Sequence, residues 1–167
     1  MIKFYNMMIK KFMFAIIMMA GLSLGQNAMA QDYNTAVGLR AGNSGGVTIK
    51  HFLSDAVAFE GLIHSRWRGL MVTGLLEVHR DIREARGLRW YYGAGAHVGF
   101  YNANARRDWG DRDRSYTTVG IDGILGLEYT FVEIPLNLSL DWKPAFDVIG
   151  HTQFWGDGFA LSVRYTF

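Results

Sequence analysis

Cysteine is absent from this 167-residue chain. That excludes a disulfide framework, a thiolate metal site and a lipid anchor attached through a cysteine beside a cleavage point. An apolar run long enough to span a bilayer as a helix is also missing, because the longest, Phe12 to Leu24, falls short of the ~20 residues such a helix needs. No basic run with interleaved aromatics occurs, so composition gives no footing for a nucleic-acid partner. Phosphate-cradling loops, zinc-type histidine pairs and a nucleophile elbow are lacking as well, which leaves cofactor-dependent enzymology unsupported; the expected cofactor set is none.

The first thirty residues have their own logic. Lys3, Lys10 and Lys11 precede the apolar run, and polar Gln26 and Asn27 lead to the triplet Ala28, Met29, Ala30. Positive, apolar and small-residue segments in that order make a secretory signal, with cleavage expected between Ala30 and Gln31. The expected organisation is a leader over 1–30 and one domain over 31–167. Three of the 17 basic residues fall in the leader and all 15 acidic residues lie beyond it, so the remainder has 14 basic residues and a formal charge of −1.

From Gln31 onward the apolar pattern has a period of two, interrupted by Gly, Asn, Asp and charged clusters, which is the pattern of strands and turns. Eight segments emerge: Tyr33 to Ala41, Val47 to Leu53, Ala56 to Trp67, Leu70 to Asp81, Leu88 to Asn102, Tyr116 to Phe131, Ile134 to Asp147 and Gly158 to Phe167. The last is the clearest, with Phe159, Leu161, Val163, Tyr165 and Phe167 on one face and Ala160, Ser162, Arg164 and Thr166 on the other.

Alternation alone also fits a soluble sandwich. Three further features favour an all-β, eight-stranded antiparallel up-and-down transmembrane β-barrel. With a periplasmic N-terminus, the two longest connections, Ala103 to Ser115 and Val148 to Asp157, both fall on the outer side, as in bacterial barrels. Aromatic residues gather near strand ends: Tyr33, Trp90, Tyr92, Tyr129, Phe131, Tyr165 and Phe167 towards one rim, and Trp67, Phe100, Tyr116, Phe146 and Phe159 towards the other. The inward parity collects Arg40, Lys50, Arg89, Lys143 and Arg164 opposite Glu60, Glu77, Asp122, Glu128 and Asp141. An eight-stranded barrel is just wide enough for side chains to fill, and unpaired charge there is costly, so a salt-bridged plug is expected. Gly38, Gly93, Gly95, Gly99, Gly120 and Gly126 share the inward parity, which leaves volume for long Arg and Lys stems or lets the sheet bend. Phe52 and Leu62 would also point inward and His51 outward.

The ending "FALSVRYTF", the eight segments and the leader together resemble the small outer-membrane barrels of Gram-negative bacteria, of the OmpA transmembrane domain and OmpX type. The segments "WYYGAGAHVGFY" and "GIDGILGLEYTFVEIPLNLSLDWKPAFDV" are similar to outer-membrane β-barrel or porin-like families. The resemblance implies location in the cell outer membrane and contact with its lipid and lipopolysaccharide. It also implies that Phe167, with Tyr165 and Val163, is the terminal signal read by the barrel-assembly machinery. Activity does not follow, because such barrels serve as scaffolds, adhesins, small porins or lipid enzymes.

Lipid-modifying enzymes of this architecture use polar residues near the outer rim, which draws attention to His64, Ser65 and Glu60 as base, nucleophile and orienting acid. Parity opposes the set, since Ser65 turns away from the face shared by His64 and Glu60. His79 and His97 also face inward, as members of a hydrogen-bonded plug. The loop "NANARRDWGDRDRS" interleaves Arg106, Arg107, Arg112 and Arg114 with Asp108, Asp111 and Asp113 around Trp109. Its acidic spacing does not match a calcium loop. It suits contact with lipopolysaccharide phosphates or an external ligand of unknown identity, and a solvated loop held by its own ion pairs is the simpler reading. The leading expectation is a non-enzymatic outer-membrane barrel with a filled lumen. Its rivals are a narrow channel for water, ions or small solutes, a lipid-modifying enzyme, and a soluble barrel of lipocalin-like shape.

Overall fold

The computed structural model describes residues 33–66, 69–101, 116–150 and 152–167. Apart from the terminal Phe167, they belong to one compact unit, Gln31–Thr166. The described residues form ten strands: β1 Thr35–Gly42, β2 Gly45–Ser54, β3 Val57–Arg66, β4 Gly69–Asp81, β5 Leu88–Tyr101, β6 Tyr116–Thr130, β7 Leu136–Trp142, β8 Ala145–Ile149, β9 Gln153–Trp155 and β10 Phe159–Thr166.

The ten strands make eight staves. Lys143 and Pro144 separate β7 from β8, but the register against β6 runs straight through, with Leu125 opposite Trp142 and Asp122 opposite Ala145. Proline lacks the N–H that a ladder needs, so the stave loses pairing locally without losing alignment. Its carbonyl still accepts from Gly123 N at 2.9 Å. Gly156–Gly158 likewise divides β9 from β10. Here three residues face the two that separate β7 from β8, so the register shifts by one, as at a bulge.

Every stave pairs antiparallel with its sequence neighbour, and β1 pairs with β10 from Ala36 opposite Thr166 to Gly42 opposite Ala160. Together with the β5–β6 pairing this closes the sheet into an eight-stranded barrel. Closure removes the free edges that an open sheet would expose. The start of β1 and the end of β10 lie at one rim, here called the terminal end, and the opposite rim is the far end.

The pleat sorts side chains by parity. Along β4, Met71, Thr73, Leu75, Glu77 and His79 are buried, while Leu70, Val72 and Leu76 are exposed. Along β10, Ala160, Ser162 and Arg164 are buried, while Phe159, Leu161 and Val163 are exposed. Leu62 takes an inward place and His51 an outward one, where its Nδ1 lies 2.8 Å from Thr35 Oγ1. The single irregularity in the β2–β3 pairing lies between Phe52 and Ser54, at the turn. The interior glycines leave no room for a side chain where neighbours fill it: a Cβ on Gly126 would stand 2.6 Å from Tyr91 Cζ.

Two expectations need correction. Val148 to Asp157 is not simply an outer loop, because Val148 and Ile149 end β8 and Gln153–Trp155 forms β9, which folds back on it with Asp147 opposite Gln153. Tyr33 does not join an outer aromatic girdle. Its hydroxyl turns in to Glu128 at 3.4 Å, and its ring meets Phe52 edge-on at 5.2 Å. Elsewhere the exposed aromatics do sit towards the rims, with Trp90, Tyr92 and Tyr129 at the terminal end and Phe100, Phe146 and Phe159 at the far end.

Candidate functional site: the ion-paired interior

Inward positions on β2, β3, β4, β6 and β10 near the terminal end carry the first cluster. Lys50, fully buried, directs Nζ to Glu77 at 2.8 Å, Glu128 at 3.4 Å and Glu60 at 3.6 Å. Arg164, equally buried, pairs with Glu60 and donates to Ser139 Oγ at 2.6 Å and to Asn137 Oδ1 and Thr48 Oγ1 at 3.3 Å each. His79 stands between two carboxylates, 3.1 Å from Glu77 and 3.1 Å from Glu128. Its ring stacks on Tyr91 at 5.0 Å, and the Lys50 ammonium lies 4.2 Å from the centre of the same ring. A desolvated cation over an aromatic face is a favourable contact that also seals the space around it.

The second cluster lies nearer the far end, on β5, β6, β8 and the Lys143 junction. Lys143 pairs with Asp122, whose other oxygen meets His97 Nδ1 at 2.7 Å. His97 Nε2 lies 2.7 Å from Asp147, and Asp147 also accepts from Trp155 Nε1 at 2.8 Å. A ring with a carboxylate oxygen at each nitrogen satisfies both only by donating from both, as an imidazolium. Between the clusters, Leu62, Leu75, Tyr91 and Ile124 form an apolar waist. Arg40 and Asp141 bridge it by a bidentate pair, one arm at 2.7 Å, and Tyr91 donates to Asp141 at 3.1 Å.

Of the ten residues expected in the charge network, nine are buried: Arg40, Lys50, Glu60, Glu77, Asp122, Glu128, Asp141, Lys143 and Arg164. Arg89 is the exception. Its inward parity holds, but it sits at the terminal rim, where Nε donates at 2.6 Å to Asp81, whose side chain is 74% exposed. The balance therefore differs from five against five. Sequence reasoning omitted Asp147, so four buried lysines and arginines face six buried carboxylates among the described residues. His79 and His97, each between two of those carboxylates, make the sum zero when both are protonated.

The rim constellation does not assemble. His64 faces inward with Nε2 3.2 Å from Thr73 Oγ1, whereas Ser65 is exposed and donates to Gly69 O at 3.0 Å. Glu60 is held by Arg164, Lys50 and Thr48. Val163 and Phe167 are exposed, and Tyr165, half-buried, lies opposite Val37. Arg106, Arg107, Trp109, Arg112 and Arg114 fall outside the described residues.

The fold is that of the small eight-stranded outer-membrane barrels. Among solved structures the chain is similar to the N-terminal β-barrel domain of Pseudomonas aeruginosa OprF, with a TM-score of 0.62 and 16% identity, covering 82% of this chain and 100% of that one. It is also similar to Neisserial surface protein A, with a TM-score of 0.51 and 13% identity, covering 80% of this chain and 94% of that one. No protein-family model and no curated protein sequence matches the chain.

Proposed function

We propose that the protein is an integral barrel of the bacterial outer membrane, exported with loss of residues 1–30, whose role is structural or surface-interacting and not enzymatic. The observation that carries this reading is the inverted distribution of polarity. Leu39, Leu76, Ile121, Leu140 and Leu161 are between 51% and 67% exposed, while Lys50, Glu60, Glu77 and Arg164 are at 0%. A water-soluble domain of this size would bury the first set and hydrate the second. In a bilayer the same arrangement offers apolar surface to lipid and satisfies every strand within the ring.

The likeness to two outer-membrane barrels supports the location. The separation of His64 from the outward Ser65 supports a non-enzymatic role. Lipid and lipopolysaccharide are the proposed surroundings, and Val163, Tyr165 and Phe167 are the proposed contact for the barrel-assembly machinery. The test is detergent extraction followed by electrophoresis with and without boiling. A closed barrel is expected to shift mobility only after heating, and partition into the aqueous phase would overturn the reading.

A second reading, a narrow path for water or small ions, draws on other atoms. Arg40 Nε, Thr118 Oγ1 and Ser162 Oγ are buried without a hydrogen-bond partner among the described residues. A cavity of about 10 Å³, the size of one water, lies by His64 and Lys143. Planar-bilayer recording separates the two: no conductance is expected of a filled lumen, and steady conductance that scales with salt would replace the plug by the path.

A further inference from the structure

The terminal rim carries, on the outer wall of the barrel, a notch of about 410 Å³ lined by Arg86, Tyr129, Phe131, Val132, Glu133 and Ile134. Two turns build it. Gly87 has φ +84°, and a Cβ there would lie 2.5 Å from Thr130 O. Glycine therefore lets the turn after β4 close on the end of β6, where Thr130 N donates to Gly87 O at 2.9 Å. That closure brings Arg86 to the side of the notch walled by Tyr129 and Phe131, whose rings meet edge-on at 4.8 Å. The turn between β6 and β7, tied by Phe131 N to Leu136 O at 2.9 Å, supplies Glu133 between exposed Val132 and Ile134.

Arg86 and Glu133 are both exposed, line the same notch, and form no ion pair with each other or with another described residue. Above them Leu127 and Leu125 continue the outward face of β6, 47% and 49% exposed. One molecule complements all of this: a phosphate for the guanidinium, an ammonium for the carboxylate and ring faces, and hydrocarbon for the leucines. Guanidinium binds phosphate through paired N–H donors, and an ammonium is held by carboxylate and aromatic faces alike. A headgroup with net negative charge would meet Glu133 without compensation.

We propose that this notch is a binding site for a zwitterionic phospholipid with a primary-amine headgroup, phosphate at Arg86 and ammonium at Glu133. The proposal rests on the membrane reading above. Its test is native mass spectrometry of the delipidated barrel offered equal amounts of phosphatidylethanolamine and phosphatidylglycerol in detergent. Phosphatidylethanolamine is expected to be retained in preference. Arg86→Gln is expected to lower its retention about two- to fivefold, the scale of an exposed charge contact. Glu133→Gln is expected to narrow the preference between the two lipids. Equal retention by the unmodified barrel, or retention that neither substitution alters, would overturn the site. Both substitutions lie in exposed turns, and heat-dependent mobility checks that the variants are folded. A chain that never enters detergent micelles contradicts the membrane reading itself, whereas an inserted barrel without lipid preference contradicts this inference alone.

Discussion

Replacing Lys50 with methionine tests whether the interior is a dry plug. Its ammonium is fully buried and faces three carboxylates at 2.8, 3.4 and 3.6 Å. After the substitution Glu60 keeps Arg164, and Glu128 keeps His79 and Tyr33, but Glu77 loses its one lysine or arginine partner among the described residues and is left beside Glu60 and His79. Removing one member of a buried ionic group strands the others in low dielectric, which costs about 3–5 kcal/mol. Urea unfolding of the detergent-solubilised barrel, followed by tryptophan fluorescence, is expected to show that loss as a lowered midpoint with unchanged slope. Lys50→Met combined with Glu77→Gln removes the stranded charge as well, and is expected to recover more than half of the loss. The rim pair is the control: Arg89→Ala, opposite an exposed Asp81, is expected to cost under about 1 kcal/mol. If Lys50→Met cost no more than Arg89→Ala, water would already be solvating the carboxylates and the plug would be refuted.

Two further perturbations separate the outer wall from the inner one. Leu140 is 57% exposed and lies between Leu127 and Leu161 on neighbouring staves, so Leu140→Arg is expected to cost about 2–4 kcal/mol in lipid vesicles. A stability change within about 0.5 kcal/mol, as on a hydrated surface, would contradict a lipid-facing wall. A methyl group at Gly126 would meet Tyr91 at 2.6 Å and Asp141 Cβ at 2.8 Å, whereas one at Gly74 would meet only the Phe59 ring at 3.5 Å. Gly126→Ala is therefore expected to destabilise by about 1–3 kcal/mol in the same unfolding assay and Gly74→Ala to stay near neutral, and equal effects would argue against a packed lumen.

The alternation of β4 and β10 was legible because one buried face imposes a strict period of two. Parity also told which charged residues turn inward, since that property is local to a strand. Height was not legible. Arg89 has the right parity, but it is the second residue of β5, beside the turn, and is only half-buried. Partners were not legible either. Arg40 meets Asp141 across 101 residues and Lys50 meets Glu128 across 78, and only the barrel's closure brings such pairs together. The β8–β9 hairpin escaped because Gly150, Gly156 and Gly158 read as loop, while its three-residue strand is held by pairing to β8 and by the Trp155–Asp147 bond. Asp147, the last residue of the seventh segment, shares the inward parity of Asp141 and Lys143 but was left out of the charged set.

That omission bears on what holds the interior together. With Arg89 at the rim and Asp147 inside, fixed cations fall two short of the buried carboxylates among the described residues, a gap that protonation of His79 and His97, each standing between two carboxylates, would close. The two histidines sit on opposite sides of the apolar waist, one in each cluster, so each cluster draws on its own ring. Buried charge rarely stabilises a protein by itself, because desolvation offsets most of the attraction. In a closed barrel, however, the strands' inward positions have no second sheet to pack against. A network anchored on all eight staves ties distant staves together across the ring, which sheet pairing between neighbours cannot do.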